Sequence, residues 1–297
     1  MTASLDRALA VVREVAANHR LESETLALSR CHGRVILQDV VSSHAEDAAG
    51  PTIRHGVVMT PARVALAASI GVPSLSVARR PTVAVFTTGN DLVEPGMSLA
   101  AGQAYDSNRE LLMGLLRAEG LEPTAWPRLP DDRRQIEIAL RDAGCAFDLV
   151  VICGSSRSSA GGFVAGVLEQ FGTVHLCDVP DVFGAPVQFA SLDQAHVLGL
   201  PDDPLVLAAA WLTLGRALVD GLQGRIEPRQ VLRARLARPV ASVQLQRAFV
   251  PGRIEVQDDG LWVDPQESGL ADSNGLIVLR ENSPILPAAA IVDVISL

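Results

Sequence analysis

The chain has 297 residues, of which 48% are hydrophobic and 20% are charged, a balance typical of a well-packed globular protein with two or three domains. Its formal net charge of −9 disfavours general binding to nucleic acid, which requires a basic face. All 25 basic residues are arginine, so chemistry that depends on a lysine amine, including the P-loop and Schiff-base catalysis, is excluded.

Targeting and metal-binding signals are missing from the sequence. No apolar run reaches the roughly 18–20 residues of a membrane span, and the N-terminus lacks a basic-then-apolar signal pattern. The cysteines Cys31, Cys145, Cys153 and Cys177 form neither a CxxC pair nor a zinc-binding spacing. We therefore expect a cytoplasmic protein with reduced thiols, no membrane contact and no bound nucleic acid.

The chain opens with a predicted helix and a polar linker. Ser4 is a suitable N-cap, and apolar residues at helical spacing predict an amphipathic helix over 4–18. Alternating apolar residues over 35–41 suggest a strand. The stretch 42–55 is turn-rich, and its histidines and acids match no standard metal site, so a solvated linker is the better interpretation.

A second helix and an alternating α/β segment follow. The helix should begin at Pro61, with Thr60 as its N-cap, and end at Gly71. From residue 80 the alternation of strands and helices predicts a parallel sheet with helices on both faces, and the most apolar strand, 147–153, belongs at its centre. The predicted strands are 82–87, 123–128, 147–153 and 173–177, and the predicted helices are 108–119, 132–143, 162–171 and 204–219.

Two loops at the ends of predicted strands are candidate ligand sites. Strand 82–87 leads into a polar loop with Gly89 and Asp91, and ligands of open α/β sheets lie beyond the carboxyl ends of the strands. Strand 147–153 leads into the Gly/Ser loop 154–162, whose N–H groups and single cation, Arg157, can hold an oxyanion. An ordinary turn and a flexible linker would have similar compositions, so the spacing alone leaves both alternatives open.

From about residue 225 the pattern changes to short β runs separated by turns. The turn clusters are Pro251-Gly252, Asp258-Asp259-Gly260 and Asn274-Gly275. They separate predicted strands at 253–256, 261–263, 276–279 and 291–296. This spacing is typical of a small antiparallel β domain or barrel.

Four motifs carry a family resemblance. Thr88-Gly89-Asn90-Asp91-Leu92, Tyr105-Asp106-Ser107-Asn108, Pro130-Asp131-Asp132 and the segment 199–204 occur in this order. Together they resemble the molybdopterin molybdenumtransferase family, which includes MoeA and the E domain of gephyrin. The resemblance implies an α/β fold with a central parallel-type, MogA-like sheet, a small N-terminal α+β remnant and a C-terminal β-barrel-like domain. The implied boundaries are 1–79, 80–223 and 224–297, and the family's inserted second domain is expected to be missing.

The resemblance also implies a chemistry and a set of site residues. Members insert molybdenum from molybdate into adenylylated molybdopterin and release AMP, with Mg²⁺. Catalytic roles are implied for Asp91, Asp131 and Asp132, and Mg²⁺ contacts for Asp91 and Asp106. The residues implied to bind molybdopterin are Thr88, Gly89, Asp106, Ser107, Asn108, Gly154, Ser155, Ser156, Arg157, Ser158, Gly199, Pro201, Asp203 and Pro204.

The sequence departs from the family where the family uses lysine. Both catalytic lysine positions are lost, Asp178 stands at one of them, and the DGYA motif of the first domain has no counterpart. A charge pair about 4 Å apart is worth roughly 4 kcal/mol at an effective dielectric constant near 20, so replacing cations by acids should weaken anion binding. Asp203 is also an ideal N-cap before Pro204, and capping is the favoured interpretation of that residue.

Three functions therefore remain as hypotheses. The first is a degenerate relative that keeps the fold and acts as a binding or accessory protein in molybdenum-cofactor biosynthesis. The second is an active, divergent Mg²⁺-dependent enzyme that handles molybdopterin, and the third is a nucleotide or phosphosugar enzyme on the same sheet. The family resemblance further implies a homodimer and possible contacts with a molybdoenzyme or another cofactor-biosynthesis protein.

Overall fold

The computed structural model describes residues 5–41, 53–154, 159–177, 183–240, 248–279 and 285–297. The chain divides into two compact units. One comprises Met1–Val11, Thr82–Gly215 and Gln230–Leu297, and the other comprises Val12–Pro81 and Arg216–Arg229. The candidate site lies within the first unit.

The N-terminal helix agrees with its prediction over 5–18, whereas the following strand does not. Ser4, the predicted N-cap, lies outside the described residues. Helix α1 (Leu5–Asn18) buries Leu5, Ala8, Val12 and Ala16, which share one helical face. The predicted strand 35–41 is wrong as a continuous element. Its residues form isolated bridges to three separate partners, Val58, Val77 and Ile53, so no ladder propagates along it.

The unit that contains residues 12–81 has a two-stranded sheet and a capped helix. Strand β1 (Ser23–Ala27) pairs antiparallel with β2 (Ser74–Ala78), and neither strand was predicted from the sequence. Helix α2 (Pro61–Ser69) begins as expected, because Thr60 Oγ1 accepts a hydrogen bond from Arg63 N at 3.3 Å. The hydrophobic core of this unit comprises Leu26, Cys31, Ile36, Val40, Ile53, Met59, Ala67, Leu75 and Val77.

The central sheet has six strands in the order β6-β3-β7-β10-β9-β8. The expected central position of strand 147–153 is confirmed, since β7 lies between β3 and β10. The predicted parallel-type sheet is mixed, because β9 runs antiparallel to both of its neighbours. The strands are β3 (Val83–Thr87), β4 (Leu92–Val93), β5 (Ala104–Tyr105), β6 (Pro123–Ala125), β7 (Leu149–Cys153), β8 (Thr173–Leu176), β9 (Gln188–Leu192) and β10 (Ala195–Leu200), of which β4 and β5 form a separate parallel pair.

The helices of this region lie within a few residues of their predicted bounds. They are α3 (Ser107–Ala118), α4 (Arg133–Ala146), α5 (Ser159–Phe171), α6 (Pro204–Ala210), a π-helical turn (Trp211–Gly215) and α7 (Arg216–Leu222). The stretch Pro204–Leu222 is long and apolar enough to cross a membrane by length and composition alone. However, 61% of its apolar window is buried, as in the core helix of a folded domain.

The C-terminal strands close into a barrel in the order β11-β13-β12-β14-β15, which confirms the predicted barrel. The pairing of β11 with β13 is parallel, and the other pairings are antiparallel. Gly252 and Gly275 face each other across β12 and β14, and a Cβ at either position would meet interior side chains at 2.7 Å. The strands are β11 (Leu232–Leu236), β12 (Ala248–Gln257), β13 (Gly260–Pro265), β14 (Gly275–Leu279) and β15 (Ile291–Ser296).

Candidate functional site

A cleft of about 420 Å³ lies beyond the carboxyl ends of β3, β7 and β10, where ligands of α/β sheets are expected. Strands β3 and β7 contribute their last residues. The loops after β3, β7 and β10, the β4–β5 segment and the first turns of α3 and α6 contribute the rest. We call it the first cleft. It is lined by Thr87, Thr88, Gly89, Asp91, Leu92, Tyr105, Asp106, Ser107, Asn108, Cys153, Gly154, Asp202 and Pro204.

Hydrogen bonds between strand ends form the floor of the first cleft. The hydroxyl of Thr88 donates to the carbonyl oxygen of Gly154 at 2.7 Å, and Gly154 N donates to Leu200 O at 3.0 Å. Gly154 has φ +81°, a conformation that L side chains rarely adopt. The chain can therefore turn sharply out of β7 while its backbone remains bonded to both neighbouring strands.

Asp106 is the buried acid of the first cleft, with 4% of its surface exposed. Its Oδ1 accepts from Arg109 N at 3.2 Å and caps α3. Its Oδ2 accepts from the Thr87 hydroxyl at 2.7 Å and lies 3.2 Å from Arg109 Nε. Both carboxylate oxygens are therefore committed to protein donors and to one guanidinium group.

The described residues do not make a Mg²⁺ site at Asp91 and Asp106. Mg²⁺ requires several oxygen ligands in near-octahedral geometry, and both oxygens of Asp106 already face Thr87 and Arg109. Within the described ranges, no three His, Cys, Asp or Glu side chains are close enough to hold one metal ion. The metal role of this pair stays a prediction, and no chemical step is assigned to it.

Asn108 links the start of α3 to the loop after β10. Its Nδ2 donates to Asp202 O at 2.6 Å. Its Oδ1 is buried and accepts no hydrogen bond from the described residues. An unsatisfied acceptor beside a cleft is a position at which a ligand N–H donor would be favourable.

One of the three predicted catalytic acids lines the first cleft. Only Asp91 lines the first cleft, where its side chain is exposed. Asp131 accepts a hydrogen bond from Asn90 Nδ2 at 2.8 Å, and Asp132 caps α4 by accepting from Gln135 N at 2.9 Å. Neither Asp131 nor Asp132 lines the cleft, so their catalytic assignment stays a prediction.

Asp203 forms the cap expected of it. Its Oδ1 accepts from the N–H groups of Leu205 and Val206, each at 3.0 Å. It does not line the first cleft, in contrast to the adjacent Pro204. Its geometry therefore matches the capping interpretation, and a ligand contact at Asp203 stays a prediction.

The predicted molybdopterin-binding residues fall into three groups. Gly199, Pro201 and Asp203 do not line the first cleft, and the first two are buried in or just after β10. Ser155, Ser156, Arg157, Ser158 and the substituted lysine position Asp178 lie outside the described residues. The predicted residues that line the first cleft are Thr88, Gly89, Asp106, Ser107, Asn108, Gly154 and Pro204.

Five lining residues were missed as site residues from the sequence: Thr87, Leu92, Tyr105, Cys153 and Asp202. Each lies within one residue of a predicted site residue, and strand register is the signal that would have found Thr87 and Cys153. These two residues are paired across β3 and β7. Burial, with the nearby Asp106 charge, raises the pKa of the Cys153 thiol, so this group stays protonated and is a poor nucleophile.

The charges of the first cleft are one-sided. Among the described lining residues, Asp91, Asp106 and Asp202 carry carboxylates, and no arginine or histidine lines the cleft. Lysine is absent from the whole chain. A ligand group that donates hydrogen bonds is therefore favoured here over a bare anion.

A second cleft of about 640 Å³ adjoins the first and shares Leu92 and Asp106 with it. It lies between the β4–β5 segment, the start of α3 and the loop after β6. We call it the second cleft. Its lining residues are Leu92, Val93, Glu94, Met97, Ser98, Gln103, Asp106, Arg109, Pro127 and Arg128.

Comparison with protein-family models gives two matches. Residues 84–220 match a model described as "Probable molybdopterin binding domain", and residues 233–297 match the "MoeA C-terminal region (domain IV)". The first match contains every residue of both clefts, and the second covers all strands of the barrel except the first residue of β11.

Curated relatives of the chain are named molybdopterin molybdenumtransferases. The chain is 30% identical over 239 residues to a molybdopterin molybdenumtransferase of Haemophilus influenzae, covering 77% of this chain and 59% of the relative. It is 30% identical over 251 residues to molybdopterin molybdenumtransferase 2 of Mycobacterium tuberculosis, covering 79% of this chain and 61% of the relative. The chain thus spans about three fifths of the length of these relatives.

Solved structures share the fold. A molybdopterin biosynthesis MoeA protein from Pyrococcus horikosii superposes with a TM-score of 0.77 at 20% identity, covering 99% of this chain and 98% of that chain. A molybdenum cofactor biosynthesis protein from Pyrococcus furiosus superposes with a TM-score of 0.76 at 21% identity, covering 100% of both chains. At these identities the likeness is evidence of the fold alone.

Proposed function

The chain belongs to the MoeA family, and from this premise we propose that it binds molybdopterin in molybdenum-cofactor biosynthesis with impaired molybdenumtransferase activity. Its role is that of a binding or accessory protein. One observation carries the proposal: the first cleft combines the family's motif residues with three carboxylates, of which Asp106 is paired with Arg109, and no described cation lines it.

The physical argument concerns the charge of the reactants. Molybdate and the phosphate groups of adenylylated molybdopterin are anions, and catalysis of their reaction requires cations where negative charge develops. In the first cleft, the exposed carboxylate of Asp91 would repel such groups. The pterin ring differs from these anionic groups, because its amino group and ring N–H can donate hydrogen bonds to carboxylate oxygens or to the side-chain oxygen of Asn108. Binding of the ring can therefore survive where transfer chemistry is weakened.

Several finer properties belong to this proposal. The three-part division at 1–79, 80–223 and 224–297 is supported by the family matches over 84–220 and 233–297. Cytoplasmic location, homodimer formation, Mg²⁺ dependence and contact with a molybdoenzyme or another biosynthesis protein are inferred from family membership.

Binding and turnover should be measured separately on the full chain. Anaerobic titration with molybdopterin should give saturable binding, which Asp91→Asn should retain or tighten because it removes a negative charge. Release of AMP from adenylylated molybdopterin with molybdate and Mg²⁺ should be at least about 100-fold slower than for the Haemophilus influenzae relative, as expected when cationic groups are lost from a site.

Each outcome discriminates between functions. Turnover comparable to that of the relative would overturn the proposal and establish a divergent active enzyme. Failure to bind molybdopterin, together with binding of nucleotides or phosphosugars, would favour another use of the same sheet.

A further inference from the structure

The second cleft holds the positive charge that the first cleft lacks. Among the described residues, Arg109 and Arg128 line the second cleft, whereas no arginine lines the first. The two clefts share Leu92 and Asp106 as lining residues and are therefore neighbours. Because the chain has no lysine, any side-chain clamp on a phosphate at neutral pH depends chiefly on arginine.

Arg128 has most of its hydrogen-bonding capacity available. The residue is exposed, and its Nη1 donates to the carbonyl oxygen of Leu92. Within the described part of the chain this is its only hydrogen bond, and no carboxylate forms an ion pair with it. A guanidinium group has five N–H donors. Arg128 therefore lines the second cleft with donors left for a ligand.

The charge of Arg109 is partly neutralised by two acids, the buried Asp106 and the exposed Glu94. Its side chain is 15% exposed and is paired with the buried Asp106. Its Nη1 lies 3.3 Å from Glu94 Oε1, whose side chain is 74% exposed. An exposed ion pair of this kind contributes little free energy. A dianion entering the second cleft can replace Glu94 on Arg109 without disturbing Asp106.

We propose that the second cleft is an oxyanion subsite in which Arg128 and Arg109 bind a tetrahedral dianion. The rest of the ligand extends past Leu92 into the first cleft. Arginine binds such groups through paired, charge-assisted hydrogen bonds. The identity of the whole ligand rests on the proposed function, in which the dianion is a phosphate ester. Free molybdate has the same shape and charge and is the other possible source.

Binding to the intact protein tests the subsite directly. Calorimetric titrations at low salt would use inorganic phosphate, AMP and molybdate as separate probes. Arg128→Gln should weaken binding about tenfold, as expected for the loss of a charged hydrogen-bond donor. Glu94→Gln should tighten it by a factor of about two to five, because a competing carboxylate is removed. Arg117→Gln, at an exposed position on the same helix as Arg109, is the charge-matched control and should leave affinity unchanged.

The probes also identify the source of the dianion. Binding of phosphate and AMP without molybdate assigns a phosphate-ester site, whereas molybdate binding in competition with phosphate assigns a general oxyanion site; either result supports the proposal. Unchanged affinity in both Arg128→Gln and Glu94→Gln would overturn it, as would the absence of binding by all three probes at millimolar concentration.

The subsite and the proposed function can fail independently. If phosphate binding depends on Arg128 but molybdopterin does not bind, the proposed function is wrong and the subsite stands. If molybdopterin binds wild type and Arg128→Gln equally well, the subsite is wrong and the proposed function stands.

Discussion

The hydroxyl of Thr88 donates to the carbonyl oxygen of Gly154 at 2.7 Å and thereby ties the exit of β3 to the exit of β7. The two residues are 66 positions apart in the chain. Their contact leaves little space, because a Cβ on Gly154 would lie 3.0 Å from Thr88 Oγ1 and 3.2 Å from Thr88 O. The floor of the first cleft thus depends on a glycine for both conformation and space.

Gly154→Ala should lower the free energy of unfolding by about 1–3 kcal/mol, since it combines a positive φ with a close backbone contact. Gly102→Ala is the matched control. Gly102 also has φ +81°, but a Cβ there would meet nothing within 4 Å. Urea unfolding of both variants separates the two causes, and equal losses would show that the contact with Thr88 is irrelevant.

The Asp106 carboxylate should be the most important acid of the site for stability. Asp106→Asn removes the charge that faces Arg109 in a buried setting, and breaking such a pair costs about 3–5 kcal/mol. Asp132→Asn is the same substitution at an exposed helix cap, where asparagine is as good as aspartate, so the expected loss is below about 0.5 kcal/mol. Chemical denaturation measures the free energy of unfolding of both variants. A loss for Asp106→Asn no larger than that of the control would contradict the buried pair.

The sequence was most informative where a side chain forms a hydrogen bond with the backbone a few residues away. Thr60, Asp132 and Asp203 each accept from a backbone N–H group two or three residues later, so these helix starts could be predicted from local chemistry. The sequence predicts Ser107 or Asn108 as the cap of α3, and this prediction is wrong, because Asp106 forms the cap. The turn clusters of the barrel are local in the same way. Such signals fix where an element begins, and they do not specify its partner.

Pairing between distant segments could not be predicted in this way. Strand β9 reverses direction against β10 through a short turn at Asp193, which has φ +53°. Composition alone did not distinguish this hairpin from a loop. Likewise, Arg128 reaches Leu92 across 36 positions to line the second cleft, and no local pattern connects these two residues. The main cations near the site were therefore missed.

A pH-dependent contribution to stability is expected from Glu227, in the unit that contains residues 12–81. Its carboxylate accepts from Arg63 at 2.8 and 2.9 Å and from Val58 N at 3.1 Å. The hydrogen bond from Arg63, more than any other cause, lowers the pKa of Glu227 below its usual 4.5. A lowered pKa in the folded state stabilises the protein above the unfolded value, and this contribution is lost as the pH falls through the folded pKa.

Glu227→Gln should therefore lower the free energy of unfolding at pH 7 by about 1 kcal/mol. The difference from wild type should shrink as the pH falls below the unfolded value. Glu255→Gln is the control, because its pair with Arg253 is more than half exposed on both sides. Denaturation curves at several pH values provide the measurement, and a difference that is constant with pH would exclude the linkage.

The π-helical turn after α6 should depend on the contact between Gly215 and Trp211. Trp211 is fully buried, and a Cβ on Gly215 would lie 2.2 Å from its ring. Gly215→Ala must therefore displace either the indole or the backbone, at a cost of about 1–3 kcal/mol. Gly114→Ala, in helix α3 with nothing within 4 Å, should instead stabilise by about 0.5–1 kcal/mol.

A double-mutant cycle tests whether the indole ring is the cause of that loss. Trp211→Leu replaces the indole ring that opposes residue 215 by a smaller side chain, so Gly215→Ala should cost less in that background. A coupling free energy of about 1 kcal/mol or more is expected for residues in direct contact. Strictly additive losses would show that Gly215 is required for backbone conformation and not to make room for Trp211.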